Sequence, residues 1–263
     1  MPSFFFLPIL SGLVAAFCWR KLRPTIGQTA LQCLYLTLLD LVGATVVLRE
    51  GVICLVMVSP LLYALVLGGG MLGRTLFAGG PSQLQVSILP LLVVLALAEP
   101  FTRADRMGVV TDEILIHAPP ARVWPQITAF PPIPAPPRFW LFRLGLPYPM
   151  ATTTSGNFVG ADRRCIFNRG AVFKETVSGI VPEHELTFDI LEAPPDPELL
   201  GHLTLQRGQF LLRDNGDGTT TLTGSSWYTL HVRPLWYFDW WTHQVFRAVH
   251  LRVMEDVKRR AET

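Results

Sequence analysis

Apolar residues follow two different rules along this chain. Between residues 1 and 98 they form long runs, at residues 4–19, 30–48, 51–73 and 84–98. The second run is interrupted only by Asp40, and the third has no charged residue. Helices apolar on every side belong in lipid rather than in a water-facing core. A span needs roughly 20 apolar residues, so the second and third runs are near full length and the first and fourth are short. The pattern predicts about four transmembrane helices in residues 1–100.

Beyond a linker at residues 101–110 the rule changes to alternation. Residues 111–118 place Ile114 and Ile116 on one face and Glu113, Leu115 and His117 on the other, as a strand does. Pro119-Pro120 then suits the first turn of a short helix at 121–130, with Val123, Trp124 and Ile127 on one side. Ten prolines between residues 119 and 149 permit only broken helix and extended chain. Strands are predicted at 162–168 and 172–177 around Arg169-Gly170, at 185–191, and at 209–213 and 219–231 around the turn residues 214–218. A helix at 234–261 follows, with Phe238, Trp241, Val245, Val249, Val253 and Val257 on one stripe. The fold class expected is α+β: transmembrane helices, then residues 111–263 as an antiparallel sheet wrapped around a long C-terminal helix. Such an arrangement leaves a concave apolar space where small ligands bind.

The opening Ile116-His117-Ala118-Pro119-Pro120-Ala121-Arg122-Val123-Trp124 and the turn Gly160-Ala161-Asp162-Arg163-Arg164 belong to the same pattern. So does the ending from Trp227 to Lys258, with Arg233-Pro234-Leu235-Trp236-Tyr237 and Val253-Met254-Glu255-Asp256-Val257. Together they resemble the START-like helix-grip superfamily, which includes polyketide cyclase/dehydrase proteins and the birch-pollen allergen fold. The resemblance covers roughly residues 108–262 and implies a hydrophobic cavity between sheet and helix. It does not imply an enzyme, because members range from lipid carriers to cyclases. Soluble members have no counterpart of residues 1–100.

Composition sharpens the division. Only eight of the 42 charged residues and none of the six histidines lie in residues 1–100. The net charge of +2 is too small for a nucleic-acid footprint, and four cysteines in 263 residues exclude a disulfide scaffold. The positive residues follow the first apolar run instead of preceding it, which argues against a signal peptide. With four spans of a multi-pass cell membrane protein, Arg20, Lys21, Arg23 and Arg74 outnumber Arg49, Arg103 and Arg106 on the opposite side by one. That favours residues 20–27 in the cytoplasm and the C-terminal domain outside. Losing one short span reverses the orientation, so the side of the domain stays open. Asp40 is expected to face another helix and bond Thr37 or Thr45. Gly69 and Gly73 offer a spacing that permits close helix contact.

Familiar catalytic signatures are missing from the sequence. His243 and His250, seven apart on a helix, stand about 10.5 Å apart along its axis, too far for one ion. The 214–218 turn lacks the ligand pattern of a calcium loop. No metal or cofactor is expected. Cys165, mid-strand, reads as an inert buried thiol. What remains is a polar set that alternation could aim inward. A two-residue turn at Arg169-Gly170 places Arg164 opposite Glu175, on a face shared with Ile166 and Phe173. A turn one residue longer shifts that register. Trp227, Tyr228, Trp241 and His243 are candidates for the cavity wall, although core packing accounts for them equally well.

Three functions are compatible with this sequence. The leading one is a membrane-anchored module that binds a lipid-like or other hydrophobic small molecule, with Arg164, Glu175, Trp227, Trp241 and His243 about the cavity. The second is a cyclase or dehydratase using Glu175 or His243 as general base. The third is a non-catalytic partner of another membrane protein.

Overall fold

The computed structural model describes residues 3–47, 51–77, 105–195 and 202–263. The chain forms two compact units, Met1–Ala104 and Asp105–Thr263. The first contains three helices, α1 (Ser3–Trp19), α2 (Ile26–Val47) and α3 (Val52–Phe77). All three are long and apolar enough to cross a membrane. The predicted fourth span, residues 84–98, lies outside the described residues. Helices α1 and α3 meet backbone to backbone. A Cβ on Gly12 would overlap the Val66 carbonyl, one on Gly69 the Ile9 carbonyl, and one on Gly73 the Ala16 side chain. Small residues permit this approach, and close packing is what holds helices together in lipid. Asp40 accepts a bond from Ser11 on α1 at 3.4 Å. The expected partners Thr37 and Thr45 bond carbonyls of their own helix instead.

The second unit is α+β. Its strands are β1 (Arg106–Ile116), β2 (Pro149–Thr154), β3 (Asp162–Phe167), β4 (Val172–Val181), β5 (Glu185–Glu192), β6 (Leu203–Asp214) and β7 (Thr220–Leu230). They form one antiparallel sheet in the order β1-β7-β6-β5-β4-β3-β2. Between β1 and β2 lie α4 (Pro120–Thr128) and a single turn, α5 (Trp140–Leu144). The chain ends on α6 (Leu235–Ala261). This is a helix-grip architecture. Arg252 of α6 donates to the Pro149 carbonyl on β2 at 2.9 Å, and Lys258 donates to the Leu115 carbonyl on β1 at 2.8 Å. These are the two edge strands, so the helix occupies backbone acceptors that a bare edge would offer to another chain.

Several boundaries depart from the expectation. β1 begins at Arg106 and so absorbs part of the predicted linker. The alternation test misses Arg106–Val110 because Met107 and Val109, on the outer face, are apolar although exposed. β2 lies outside the expected strands, because prolines crowd the sequence that leads into it. An edge strand tolerates proline at its start, and Pro149 stands there.

The hairpin between β3 and β4 is the consequential difference. Ile166 pairs with Val172, and Arg169 and Gly170 both adopt positive φ, of 61° and 78°. Asn168 joins the turn, making it three residues rather than two. Its backbone N–H and its side-chain oxygen both engage the backbone of Tyr148, at 3.0 and 2.9 Å. That link draws it out of the β3–β4 ladder. The register shifts by one, so Arg163, not Arg164, opposes Glu175.

One apolar cluster lies between the sheet, α4 and the C-terminal half of α6. It includes Ile116, Val123, Ile127, Val177, Leu186, Phe188, Phe210, Leu222, Val253, Met254 and Val257. The predicted stripe on α6 holds at Phe238, Val253 and Val257 but not between them. Trp241, Val245 and Val249 are half-buried, and Phe246 and His250 take the buried positions.

Candidate functional site

Alternation decides what each strand contributes to the face shared with the cluster. On β3 that face carries Arg163, and on β4 Phe173, Glu175 and Val177. Arg163 and Glu175 are only 3% and 5% exposed and form a direct ion pair through Nη1 and Oε2. The Arg163 guanidinium also lies over the Phe188 ring, 4.1 Å from its centroid. Its Nε is buried with no hydrogen-bond partner among the described residues. Burial pushes the Glu175 carboxyl above the usual carboxylate range, against the opposing pull of the Arg163 charge and hydrogen bond. Cys165 stands next to this pair, and burial together with the Glu175 charge pushes its thiol up to about 12. It stays protonated and unreactive at neutral pH, as its mid-strand position suggests.

A second polar group was not anticipated. Ser226 on β7, His250 on α6 and Asp112 on β1 form a hydrogen-bonded chain. Ser226 Oγ lies 2.8 Å from His250 Nε2, and His250 Nδ1 lies 2.9 Å from Asp112 Oδ2. Arg247 Nη1 approaches the other Asp112 oxygen at 3.7 Å. The chain ties the helix to two strands and lets a histidine and an aspartate be buried, because each finds a partner. The sequence carried one signal of it: Asp112 shares the inward parity of Ile114 and Ile116. Nothing in the spacing links it to positions more than 100 residues away.

A third group lies under the first turns of α6. The fully buried Tyr228 donates to Asp239 Oδ1 at 2.7 Å, and Asp239 Oδ2 pairs with Arg106 at 3.3 Å. Burial, with the bond to Asp239, raises the Tyr228 hydroxyl pKa. The ring stacks on Phe246 at 5.5 Å. Gly108 opposes it on β1, where any Cβ would strike the ring.

The predicted site residues therefore scatter. Glu175 is interior. Arg164 is exposed on the outer face, opposite Lys174 and Thr153, so the one-residue register shift removes it from the site. Trp227 shares the outer parity of its neighbour Val109, while Tyr228 and Ser226 point inward; two adjacent strand residues cannot both face the same way. Trp241 is half-buried, but against aromatic rings of α5 and α6: Trp140 at 6.3 Å and Trp240 at 4.8 Å. His243 is exposed, its ring edge-on to Tyr228 at 6.4 Å. Among the described residues no group of three or more His, Cys, Asp or Glu is placed to hold a metal ion.

No family model and no curated protein matches the chain. Among solved structures, norcoclaurine synthase from Thalictrum flavum is similar at 13% identity and a TM-score of 0.41, covering 60% of this chain and 95% of that one. A protein of Nitrosospira multiformis is 18% identical with a TM-score of 0.40, over 58% and 94%. A Thermus thermophilus protein is 12% identical with a TM-score of 0.41, over 59% and 97%. The helix-grip architecture of this chain rests on its own strand order.

Proposed function

We propose that this protein is a membrane-anchored binding module whose helix-grip domain holds a hydrophobic small molecule bearing a polar head. One observation carries the reading. The Arg163–Glu175 pair is sequestered on the inner face beside aromatic rings, and the Arg163 Nε–H is buried with no partner among the described residues. A buried ion pair contributes little to stability compared with well-packed apolar residues. An unsatisfied buried donor adds a penalty of about 1–3 kcal/mol, which a ligand's acceptor atom would remove. The three apolar helices in the same chain support a ligand met at the bilayer, where tethering raises its effective concentration. A membrane lipid or a similarly apolar small molecule fits this description.

The test is native mass spectrometry, with organic extraction, of the full chain purified in mild detergent. A bound apolar molecule is expected, and Arg163→Lys should retain less of it. Lysine preserves the charge opposite Glu175 but removes the free Nε–H. Preparations that carry no such molecule would overturn the reading.

The enzymatic alternative has one observation in its favour: interior acid–base groups exist. They are Glu175, with its raised pKa, and the His250 chain, rather than the exposed His243. Turnover of an apolar substrate that disappears in Glu175→Gln would favour it.

A further inference from the structure

Four of the seven tryptophans in the chain gather at one end of the second unit. Trp236 and Trp240, one turn apart on α6, are 68% and 56% exposed. Trp140 on α5 is 46% exposed and reaches them through Trp241, which contacts both Trp140 and Trp240. Leu144, one turn after Trp140, is also exposed. Soluble surfaces rarely show contiguous apolar patches of this kind without a partner.

Two observations identify the partner. The patch has a basic flank, and the acid between its two α6 tryptophans is engaged. Arg143 is exposed on α5 between Trp140 and Leu144, and the Arg169 guanidinium sits against Gly145. Asp239, between the two exposed tryptophans of α6, is already engaged by Arg106 and Tyr228. Tryptophan with arginine is the chemistry of the membrane–water interface, where the indole body meets acyl chains and the charged group meets phosphate. The second observation is where the chain enters the unit. Arg106 is fastened to Asp239, and Asp105 pairs with His231 at 3.2 Å, just ahead of α6. The first turns of α6 therefore hold Arg106, and the segment just ahead of them holds Asp105, the first described residues after the apolar N-terminal unit.

We infer that Trp236, Trp240 and Trp140 form a docking surface that seats the helix-grip domain in the headgroup region of the bilayer. The inference rests on the membrane-anchored reading above. Seated in this way, the first turns of α6 meet the lipid phase, and an apolar molecule could pass between bilayer and domain without crossing water.

The experiment uses the full chain with Trp19→Phe, which removes the tryptophan that ends α1. It is reconstituted in vesicles of phosphatidylcholine, with and without phosphatidylglycerol, brominated near the top of the acyl chains. Tryptophan emission should be quenched, more strongly with phosphatidylglycerol. Adding Trp140→Ala, Trp236→Ala and Trp240→Ala should abolish most of the quenching, while circular dichroism and the melting temperature stay near those of the parent. Co-flotation with vesicles after an alkaline carbonate wash reports insertion of the apolar helices separately, so failure of anchoring is distinguishable from failure of docking. Flotation without quenching overturns the inference, as does quenching that survives loss of all three tryptophans. Patch-dependent crosslinks between chains without quenching would identify a second copy as the occupant and also overturn it.

Discussion

Arg163 and Arg164 are adjacent, chemically identical and opposite in fate. One is buried against Glu175 and Phe188, and the other faces solvent opposite Lys174. Arg163→Ala should destabilise the domain by about 3–5 kcal/mol, because it strands a buried carboxylate. Arg164→Ala should change stability by less than about 0.5 kcal/mol. Urea titration of both variants checks the register directly. Replacing both partners, as Arg163→Met with Glu175→Leu, should be close to neutral or stabilising, since packed apolar groups do at least as well there. The pH dependence has a definite sign. Glu175 titrates higher in the folded than in the unfolded chain, so the folded state binds more protons across the window above the ordinary carboxylate range. Its contribution to stability is complete below the unfolded value and is lost as pH rises through the folded one. Stability measured across that window should fall less steeply in Glu175→Gln. The penalty of Arg163→Ala should shrink at acidic pH, where Glu175 takes up a proton.

Elements were legible where one physical rule governed them. β5 and β7 and the last helix appear close to their expected limits, because period two and the three-and-four spacing survive in their sequences. The failures have local causes. β2 hides in a proline-rich stretch that only an edge position excuses. The inner face of α6 includes His250, a polar residue that apolar patterning passes over in favour of Val249. Its burial depends on Ser226 and Asp112, which come from two different strands. Packing between strands makes a further prediction. On β6, Gly208 lies beneath the Phe188 ring of β5, and a Cβ there would overlap the ring. Gly208→Ala should cost about 1–3 kcal/mol through overpacking, read as a lowered melting temperature. The ring would also shift relative to the Arg163 guanidinium that lies over it.

At the scale of the whole molecule, the chain combines an apolar unit and an α+β unit that each carry their own internal packing. A fragment starting at Ala104 should be soluble and cooperatively folded, because its sheet, helix and core close within residues 105–263. Thermal denaturation by circular dichroism, without detergent, checks this; aggregation would mean that the domain needs the apolar unit to fold. The sequence by itself determined the division into apolar helices and a mixed domain, the antiparallel character of the sheet and the long terminal helix. These follow from hydrophobic period and charge density, which are properties of short windows. Only the tertiary structure decided which arginine meets Glu175, which of Trp227 and Tyr228 faces inward, and that Asp112, Ser226 and His250 join. The first depended on a single turn residue, Asn168, held by Tyr148 some 20 positions away. The others depended on strand register and on contacts across more than 100 residues, and no local pattern encodes those.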